Sequence, residues 1–343
     1  MGKTGIVATI GAAGGNGSRD KLYQMVKAGL DVARINFSHA KYTEVRQQIK
    51  WLREISVELR QKVYILADLA GPKIRLGEVK GRFQIKAGDE LGLVYRAKHS
   101  GGPILPVQFD FSKYVSPRQR IFLFDGKIEA EIVAVVGKVV KIVAKNDGYV
   151  TSRNGINLPD TSFMGDALTS KDLKDLAFIL TQDFDYVGLS FVHSSDDVAT
   201  LRKILARSTK KLKIIAKIET QAATEIKNLA EIIKTSDGAM VARGDLAYEV
   251  GPELVPILQW RIVKICRKLK KKSIVATQML ASMVDAPQPS RAEVSDVARA
   301  IFEGADYTML SEETALGRYP AEAVAEMRRI IKVVSKNRTI DMK

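Results

Sequence analysis

The sequence predicts an α/β fold, a (β/α)8 TIM barrel that carries a small inserted all-β domain. Eight short apolar runs alternate with amphipathic helical segments, which is the pattern of successive βα units around a parallel barrel. Between about residues 73 and 159 the helical periodicity disappears, and short β-rich runs are separated by glycine turns. With 343 residues, the chain is long enough for one barrel and an insertion.

The first part of the barrel is predicted over residues 1–72. Apolar runs at residues 5–10, 31–36 and 63–68 have the length and composition of buried strands. The apolar periodicity over residues 18–28 and 42–59 predicts helices between them, and Ser18 is a typical residue at a helix start. This segment therefore supplies three strands of the barrel.

The inserted β domain is predicted over residues 73–158. Alternating apolar residues at 119–124 and 131–136 predict strands, and Gly137 and the Asp147-Gly148 pair predict turns. No helical repeat interrupts these runs, so the segment is expected to fold as a separate β unit.

The βα alternation resumes over residues 159–343 and completes the barrel. Strands are predicted at residues 186–190, 212–217, 238–241, 273–277 and 307–310. Helices are predicted at 169–181, 195–206, 222–234, 253–270, 290–303 and 320–334. The total is eight strands, the number that closes a TIM barrel.

Three charged residues follow two neighbouring predicted strands. Lys217 and Glu219 are two apart, so on a strand they point to the same side, and Asp245 follows the next strand. Two carboxylates and an ammonium group at a dry strand end suit a divalent metal that holds a phosphorylated acid. The alternative interpretation is a surface salt-bridge cluster. Gly244 favours the anion site, because it lets backbone N–H groups approach an anion.

Polar residues also follow most of the other predicted barrel strands. A purely structural barrel does not need such residues at that end, whereas a barrel enzyme carries its active site there. The pattern therefore predicts an enzyme site for an anion and a metal. These residues are Arg34, Asn36, Ser38, His39, Asp68, Ser190, Arg243, Thr277, Gln278, Ser311 and Glu313.

Composition narrows the function classes. The formal net charge is +15, but the basic residues are spread over many helices and no nucleic-acid motif accompanies them, so attraction of anionic metabolites is favoured over specific nucleic-acid binding. No apolar run approaches the roughly 20 residues that a membrane span needs. The single cysteine, Cys266, lies in an apolar helical run and is interpreted as a buried hydrophobic residue. Because it has no partner for a disulfide, the protein is expected in a reducing cytoplasm.

Eight segments, taken in order along the chain, are IVATIG at 6–11, VARINFSH at 32–39, DLAGPKIR at 68–75, GINLP at 155–159, KIIAKIE at 213–219, MVARGDL at 240–246, ATQML at 276–280 and SRAE at 290–293. Together these segments resemble the pyruvate kinase family. The resemblance covers almost the whole chain, and the segments around Lys217 and Asp245 are the most specific. In this family a regulatory C-terminal domain usually follows the barrel, and this chain stops about one helix after Pro320.

The resemblance implies phosphoryl transfer from phosphoenolpyruvate to ADP in glycolysis, giving pyruvate and ATP. By this resemblance, Glu219 and Asp245 hold Mg2+ or Mn2+, and Lys217 stabilises the phosphoryl group in flight. The Gly244 and Asp245 amides, with the Thr277 hydroxyl, would hold the pyruvate carboxylate, and Thr277 would also lie on the proton path to the enolate carbon.

Further residues are assigned through the same resemblance. Arg34 and Arg75 look like phosphate ligands, because a guanidinium fork suits phosphate oxygens. His39 resembles a nucleotide-side contact, with a satisfied histidine at a helix start as the alternative, and Asn36 is grouped with it. Ser190 is grouped with the residues that bind the substrate.

The family divides by the residue that follows a Gly-Pro pair. Members with an acidic residue there require K+, and in others a lysine replaces it; here the residue is Lys73. A fixed ammonium would supply the charge that K+ supplies elsewhere, so K+ is not expected to be required. The remaining cation-site residues, Asn36, Ser38 and Asp68, would instead position Lys73 or Arg34.

Four departures from the family pattern concern mainly the nucleotide side. Ala12 replaces a proline, Asn154 replaces a lysine, Ala247 replaces a glycine and Glu312 replaces a glycine. Because none of these changes Lys217, ADP binding is expected to be affected more than the chemistry at phosphoenolpyruvate.

Two alternative functions stay open at the level of the sequence. A Mg2+-dependent lyase or aldolase that acts on a pyruvate enolate would use the same barrel and carboxylates, but would not need a lid domain or Lys217. A non-catalytic binding or regulatory relative of the pyruvate kinases would tolerate the altered nucleotide side. We expect a homo-oligomer, with a dimer favoured, and hyperbolic saturation by phosphoenolpyruvate without sugar-phosphate regulation.

Overall fold

The computed structural model describes residues 4–99, 101–124, 126–161 and 167–337, and the chain divides into two compact units. Unit 1 comprises Met1–Gly71, Ala167–Arg243 and Val255–Lys343. Unit 2 comprises Pro72–Asp166 and Gly244–Leu254.

The strands are numbered along the chain. Those of unit 1 are β1 to β3 and β13 to β17, and those of unit 2 are β4 to β12. Their bounds are β1 Gly5–Thr9, β2 Val32–Asn36, β3 Tyr64–Asp68, β4 Ile74–Arg75, β5 Phe83–Ile85, β6 Glu90–Tyr95, β7 Ile104–Val107, β8 Arg120–Leu123, β9 Ile128–Val136, β10 Val139–Ala144, β11 Gly148–Val150, β12 Gly155–Asn157, β13 Tyr186–Leu189, β14 Lys213–Ile218, β15 Gly238–Ala242, β16 Lys272–Ala276 and β17 Tyr307–Leu310.

The helices are also numbered along the chain. Their bounds are α1 Arg19–Ala28, α2 Tyr42–Glu58, α3 Ser170–Ile179, α4 Ser195–Leu205, α5 Gln221–Thr224, α6 Ile226–Thr235, α7 Arg243–Val250, α8 Val255–Lys268, α9 Arg291–Glu303, α10 Glu312–Ala315 and α11 Pro320–Asn337. A short 3-10 helix covers Ala281–Val284. None of the described helices has both the length and the apolar character that a membrane crossing requires.

Unit 1 is a closed parallel barrel with the strand order β1, β17, β16, β15, β14, β13, β3, β2. Every neighbouring pair is parallel, including β1 with β17, which closes the barrel. The predicted TIM barrel is confirmed. Because all eight strands run the same way, their C-terminal ends meet at one rim of the barrel.

Apolar side chains fill the barrel interior, among them Val7, Leu66 and Met240, all essentially buried. Tyr186 and Tyr307, the first residues of β13 and β17, pack against this core. Burial raises the pKa of each of these two phenols to about 12. Apolar and aromatic groups therefore close the core at the N-terminal end of the barrel.

Three helices begin with a residue whose side chain caps the helix. Thr169, Ser194 and Ser290 each form a capping box with the acidic residue three positions later. Ser18 also lies at a helix start, but its side chain makes no capping hydrogen bond. The helix predicted at residues 222–234 is broken at Glu225, whose ψ of 128° is not helical.

Two short helices, α7 and α10, were not predicted. Leu246 is the only buried residue of α7, so this helix has no apolar stripe that periodicity could detect. The four residues of α10 are too few to form a repeat. Both helices follow barrel strands directly, at the rim where the polar residues gather.

Unit 2 is built on a seven-stranded sheet with the order β4, β12, β8, β9, β10, β6, β7, together with a two-stranded sheet of β11 and β5. Buried apolar residues such as Phe111, Ile121 and Ile142 form its core. The rings of Phe122 and Tyr248 lie 5.8 Å apart, so the residues of α7 after Arg243 pack with the β strands of this unit.

Cys266 is fully buried in α8, as predicted. Burial raises the pKa of its thiol to about 12, so the sulfur is protonated and unreactive near neutral pH.

Candidate active site

Arg34 is held at the barrel rim by Asp68. Its Nε and Nη2 atoms lie 2.7 and 2.6 Å from Asp68 Oδ2, and its Nη1 donates to Thr9 Oγ1 at 2.8 Å. The Arg34 and Asp68 side chains are only 12% and 1% exposed. Burial opposes the ionisation of Asp68, but the charges of Lys217 and Arg34 outweigh it and lower the pKa of this carboxyl group. Asp68 is therefore an anion that fixes Arg34.

Lys217 lies at the end of β14 between three oxygen-bearing side chains. Its Nζ is 2.7 Å from Ser190 Oγ, 3.4 Å from Glu219 Oε2 and 3.5 Å from Asp68 Oδ1. The prediction that Lys217 and Glu219 point to the same side agrees with the 3.4 Å separation. The Lys217 side chain is 12% exposed, so it is largely shielded from bulk water.

Ser190 acts on Lys217 through a directed hydrogen bond. Its hydroxyl donates to the carbonyl oxygen of Leu69 at 2.7 Å, which turns an oxygen lone pair toward Lys217 Nζ. Ser190 is 1% exposed. In this structure its contacts are those of a residue that positions Lys217, and its grouping with the substrate ligands stays a prediction.

Glu219 is fully buried directly after β14. The backbone N–H of Phe191 donates to Glu219 Oε1 at 2.7 Å, and Phe191 has a φ of 52°, in the left-handed region. The charge of this carboxylate is thus balanced by Lys217 and by a backbone dipole. A buried carboxylate kept in this way is available to a hard cation.

A cavity of about 540 Å3 opens beside the ends of β1 and β2. Arg34, Asn36 and His39, three residues singled out in the sequence, line it, and so do Ala12 and Glu312. Ser38 does not line it; the backbone N–H of Ser38 donates to Asn36 Oδ1 at 3.1 Å. The cavity also includes Thr9, Ile10, Gly11, Ile35, Ala40, Lys41, Glu44, Val45, Gln48, Ser311, Ala315 and Leu316.

Thr277 and Gln278 follow β16 in an unusual backbone conformation. Their φ values are 71° and 52°, so two successive residues with side chains occupy the left-handed region. The Thr277 hydroxyl donates to the carbonyl oxygen of Ala276 at 2.7 Å. This leaves its oxygen lone pairs available to a donor at the rim.

Arg243 supports the turn at Thr277. Its Nε donates to the carbonyl oxygen of Ala276 at 3.1 Å, and its Nη2 donates to that of Thr277. Nη1 pairs with Asp296 at 2.7 Å. Asp296 was not singled out in the sequence, because it lies within α9 and follows no strand.

Lys73 and Asn157 meet Asp245 within unit 2. Lys73 Nζ lies 2.7 Å from Asp245 Oδ1, and Asn157 Nδ2 lies 3.4 Å from the same oxygen. Asn157 is 4% exposed, and its Oδ1 makes no hydrogen bond within the described parts of the chain. The sequence indicated Lys73 and Asp245, but nothing singled out Asn157 beyond its place in the segment at 155–159. Arg75, in the same unit, donates to the carbonyl oxygen of Arg153 at 3.1 Å.

The side chains fit a magnesium ion better than a transition metal. Among the described residues, no three His, Cys, Asp or Glu side chains cluster as a complete metal cage. Mg2+ is usually held by one or two carboxylates together with water and substrate oxygens, so it needs no such cage. Within unit 1, the buried Glu219 carboxylate is a donor of this hard type. Within unit 2, the Asp245 carboxylate is another, and so is the Asn157 carbonyl oxygen, which makes no hydrogen bond among the described residues.

Comparison with known proteins gives one family. The family model for the pyruvate kinase barrel domain matches residues 1–324. A pyruvate kinase of Thermococcus litoralis is 40% identical over 338 residues, which are 98% of this chain and 70% of that protein. Pyruvate kinase 2 of Synechocystis is 42% identical over 96% of this chain and 56% of its own length. A pyruvate kinase of Thermotoga maritima is 38% identical over 98% of this chain and 72% of its own length.

Proposed function

The chain belongs to the pyruvate kinase family, and from this premise we propose that it transfers the phosphoryl group of phosphoenolpyruvate to ADP, giving pyruvate and ATP. The observation that carries the proposal is the ammonium group of Lys217, held at the barrel rim by Ser190 and flanked by the buried Glu219. An aldolase or lyase acting on a pyruvate enolate has no phosphoryl group in flight and does not need this cation.

Lys217 and Arg34 would act on the phosphoryl group. Phosphoryl transfer passes through a loose transition state in which charge is spread over the equatorial oxygens. A cation fixed before the reaction stabilises that charge without reorganisation. The contacts that Lys217 makes with Ser190 and that Arg34 makes with Asp68 hold both cations in this way.

Glu219 and Asp245 would hold the divalent metal, Mg2+ or Mn2+. They follow β14 and β15, which are neighbouring parallel strands. When bound, the metal would supply positive charge that offsets the negative charge of the substrate. The Gly244 and Asp245 amides and the Thr277 hydroxyl are the proposed contacts of the substrate carboxylate. To donate to it, the Thr277 hydroxyl would turn away from the Ala276 carbonyl oxygen, which it contacts in this structure. Arg75 is a proposed phosphate ligand.

The cavity lined by Arg34, Asn36 and His39 is the proposed nucleotide site. Two of the departures from the family pattern, Ala12 and Glu312, line it as well. Glu312 adds a carboxylate where the family has a glycine. We propose that this change weakens the binding of nucleoside diphosphates more than the binding of phosphoenolpyruvate. The cytoplasmic location and the homodimer stay predictions.

The reaction is tested by measuring pyruvate formation from phosphoenolpyruvate with Mg2+ and ADP, with GDP, and without nucleotide. We expect pyruvate and the nucleoside triphosphate to appear in equal amounts, and only with a diphosphate present. Pyruvate formation without nucleotide would contradict the kinase and favour a hydrolytic or lyase reaction. Binding of phosphoenolpyruvate with no turnover under any condition would favour a non-catalytic relative.

A second prediction concerns K+. The Lys73 ammonium lies 2.7 Å from Asp245, so turnover of the wild-type protein should be about the same in Na+, K+ or tetramethylammonium buffers. Lys73→Glu should create a K+ requirement, because it places a carboxylate against a carboxylate and leaves a cation to be supplied from solution. Initial rates in the three buffers measure this. Strong activation of the wild-type protein by K+ would contradict the prediction, and the exposed residue Lys80, changed to Glu, serves as the control.

A further inference from the structure

The carboxylate of Asp245 is already occupied by a cation from its own chain. Lys73 Nζ is 2.7 Å from Asp245 Oδ1, and the Lys73 side chain is 12% exposed. An ammonium group at this distance neutralises much of the field that attracts a metal to the carboxylate. A divalent ion arriving at Asp245 must therefore either displace Lys73 or accept a cation beside it.

The amide of Asn157 lies at the same carboxylate in an orientation that suits the metal-free protein. Its NH2 group faces Asp245 Oδ1 at 3.4 Å, while its own Oδ1 is buried and accepts no hydrogen bond within the described residues. Burying an amide oxygen without a partner has a cost in free energy. Rotation of the amide by 180° exchanges its nitrogen and oxygen positions, and would offer a neutral, hard oxygen to a cation at Asp245.

We propose that Lys73 and Asn157 form an exchange device at Asp245, which we call the Asp245 exchange site. Without metal, the Lys73 ammonium pairs with Asp245 and the Asn157 amide presents its NH2 group. When Mg2+ or Mn2+ binds, Lys73 leaves the carboxylate and Asn157 turns its oxygen to the ion. This inference rests on the proposed function in taking Asp245 as a metal ligand. It adds Asn157 as a metal ligand and Lys73 as an internal competitor.

The test measures Mn2+ affinity directly, by the electron paramagnetic resonance signal of free Mn2+ in titrations of the whole chain without substrates. Lys73→Met should tighten Mn2+ binding about tenfold, since the competitor is lost, and Lys80→Met, an exposed change in the same unit, should not alter it. Asn157→Leu should weaken binding about tenfold, whereas Asn157→Asp, which keeps an oxygen donor, should bind Mn2+ at least as tightly as the wild type. Thermal unfolding of each variant verifies that it is folded.

The outcomes separate this inference from the proposed function. Unchanged or weaker Mn2+ affinity in Lys73→Met would overturn the competition, and equal losses in Asn157→Leu and Asn157→Asp would overturn the ligand role of Asn157. Asp245→Asn is the reference variant. If it binds Mn2+ as the wild type does, the metal assignment in the proposed function itself fails. If it loses Mn2+ binding while Lys73→Met shows no gain, only the exchange fails.

A second measurement follows the ammonium group itself. Addition of Mn2+ to the wild-type protein should raise the acetylation of Lys73 by an amine-directed reagent about severalfold, because the ammonium leaves its carboxylate, as quantified by peptide mass spectrometry. In Asp245→Asn, Lys73 should react with the reagent equally with and without Mn2+. A Lys73 that is protected rather than exposed by Mn2+ in the wild-type protein would overturn the displacement.

Discussion

Replacing Lys217 by methionine is expected to lower the turnover number for pyruvate formation about a thousandfold. Methionine is one atom shorter than lysine and keeps much of its apolar volume, but it has no charge. The change therefore takes away a cation that Ser190 holds at 2.7 Å before the reaction begins. The loss should appear in kcat more than in KM, because the developing charge of the phosphoryl group is largest in the transition state. Steady-state rates over a range of phosphoenolpyruvate concentrations measure it.

The control for this variant is Lys227→Met, which removes the same charge from an exposed position on α6. It should leave turnover within about twofold of the wild type, since exposed charges contribute little. Mn2+ affinity of Lys217→Met should be at least that of the wild type, because Glu219 loses a neighbouring cation and keeps its carboxylate. Near wild-type turnover in Lys217→Met would remove Lys217 from the mechanism.

Replacing Arg34 by leucine should have the largest effect on stability. Asp68 is 1% exposed, and Arg34 makes two contacts with its Oδ2 atom. Breaking a buried ion pair from one side leaves a buried charge without its partner, which typically costs about 3–5 kcal/mol. Lys217, 3.5 Å from the other carboxylate oxygen, offsets part of this cost. A lower urea midpoint for the unfolding of the barrel, followed by circular dichroism, and a loss of turnover are the expected results.

Two variants test the physical reason for the Arg34 effect. Arg19→Leu breaks an ion pair with Glu58 whose side chains are 42% and 48% exposed, so the urea midpoint should hardly change. The double variant Arg34→Leu with Asp68→Asn should regain part of the lost stability, because the uncompensated charge is removed. A double variant less stable than Arg34→Leu alone would mean that the Asp68 charge is not the cause.

Periodicity predicted the barrel because its strands are continuous apolar runs buried on both faces, whereas each long helix buries one apolar face. The same local rule predicted that Lys217 and Glu219 share a side of β14. It did not predict α7, which buries only Leu246 and therefore has no repeat to detect. Family resemblance, rather than periodicity, suggested most of the individual roles.

Contacts between side chains that are far apart along the chain could not be predicted from the sequence. Ser190 and Lys217 are 27 residues apart, and Lys73 and Asp245 are 172 apart. Such pairs depend on which strand ends become neighbours and on the rotamers that packing allows, and neither is written in a local pattern. The exception is Asp68, which the family resemblance suggested as a positioning partner of either Lys73 or Arg34, and which contacts Arg34.

The left-handed backbone of Thr277 and Gln278 lowers the stability of the fold at a turn where the proposed function needs a side chain. Each residue with a side chain in this region carries a backbone penalty of about 1–2 kcal/mol, which glycine would not carry. Thr277→Gly is therefore expected to raise the thermal stability of the protein, and laboratory selection for heat resistance alone would favour it. The same substitution would delete the only hydroxyl group of this turn. The hydroxyl that the proposed function assigns to the substrate carboxylate is therefore kept at a cost in backbone stability.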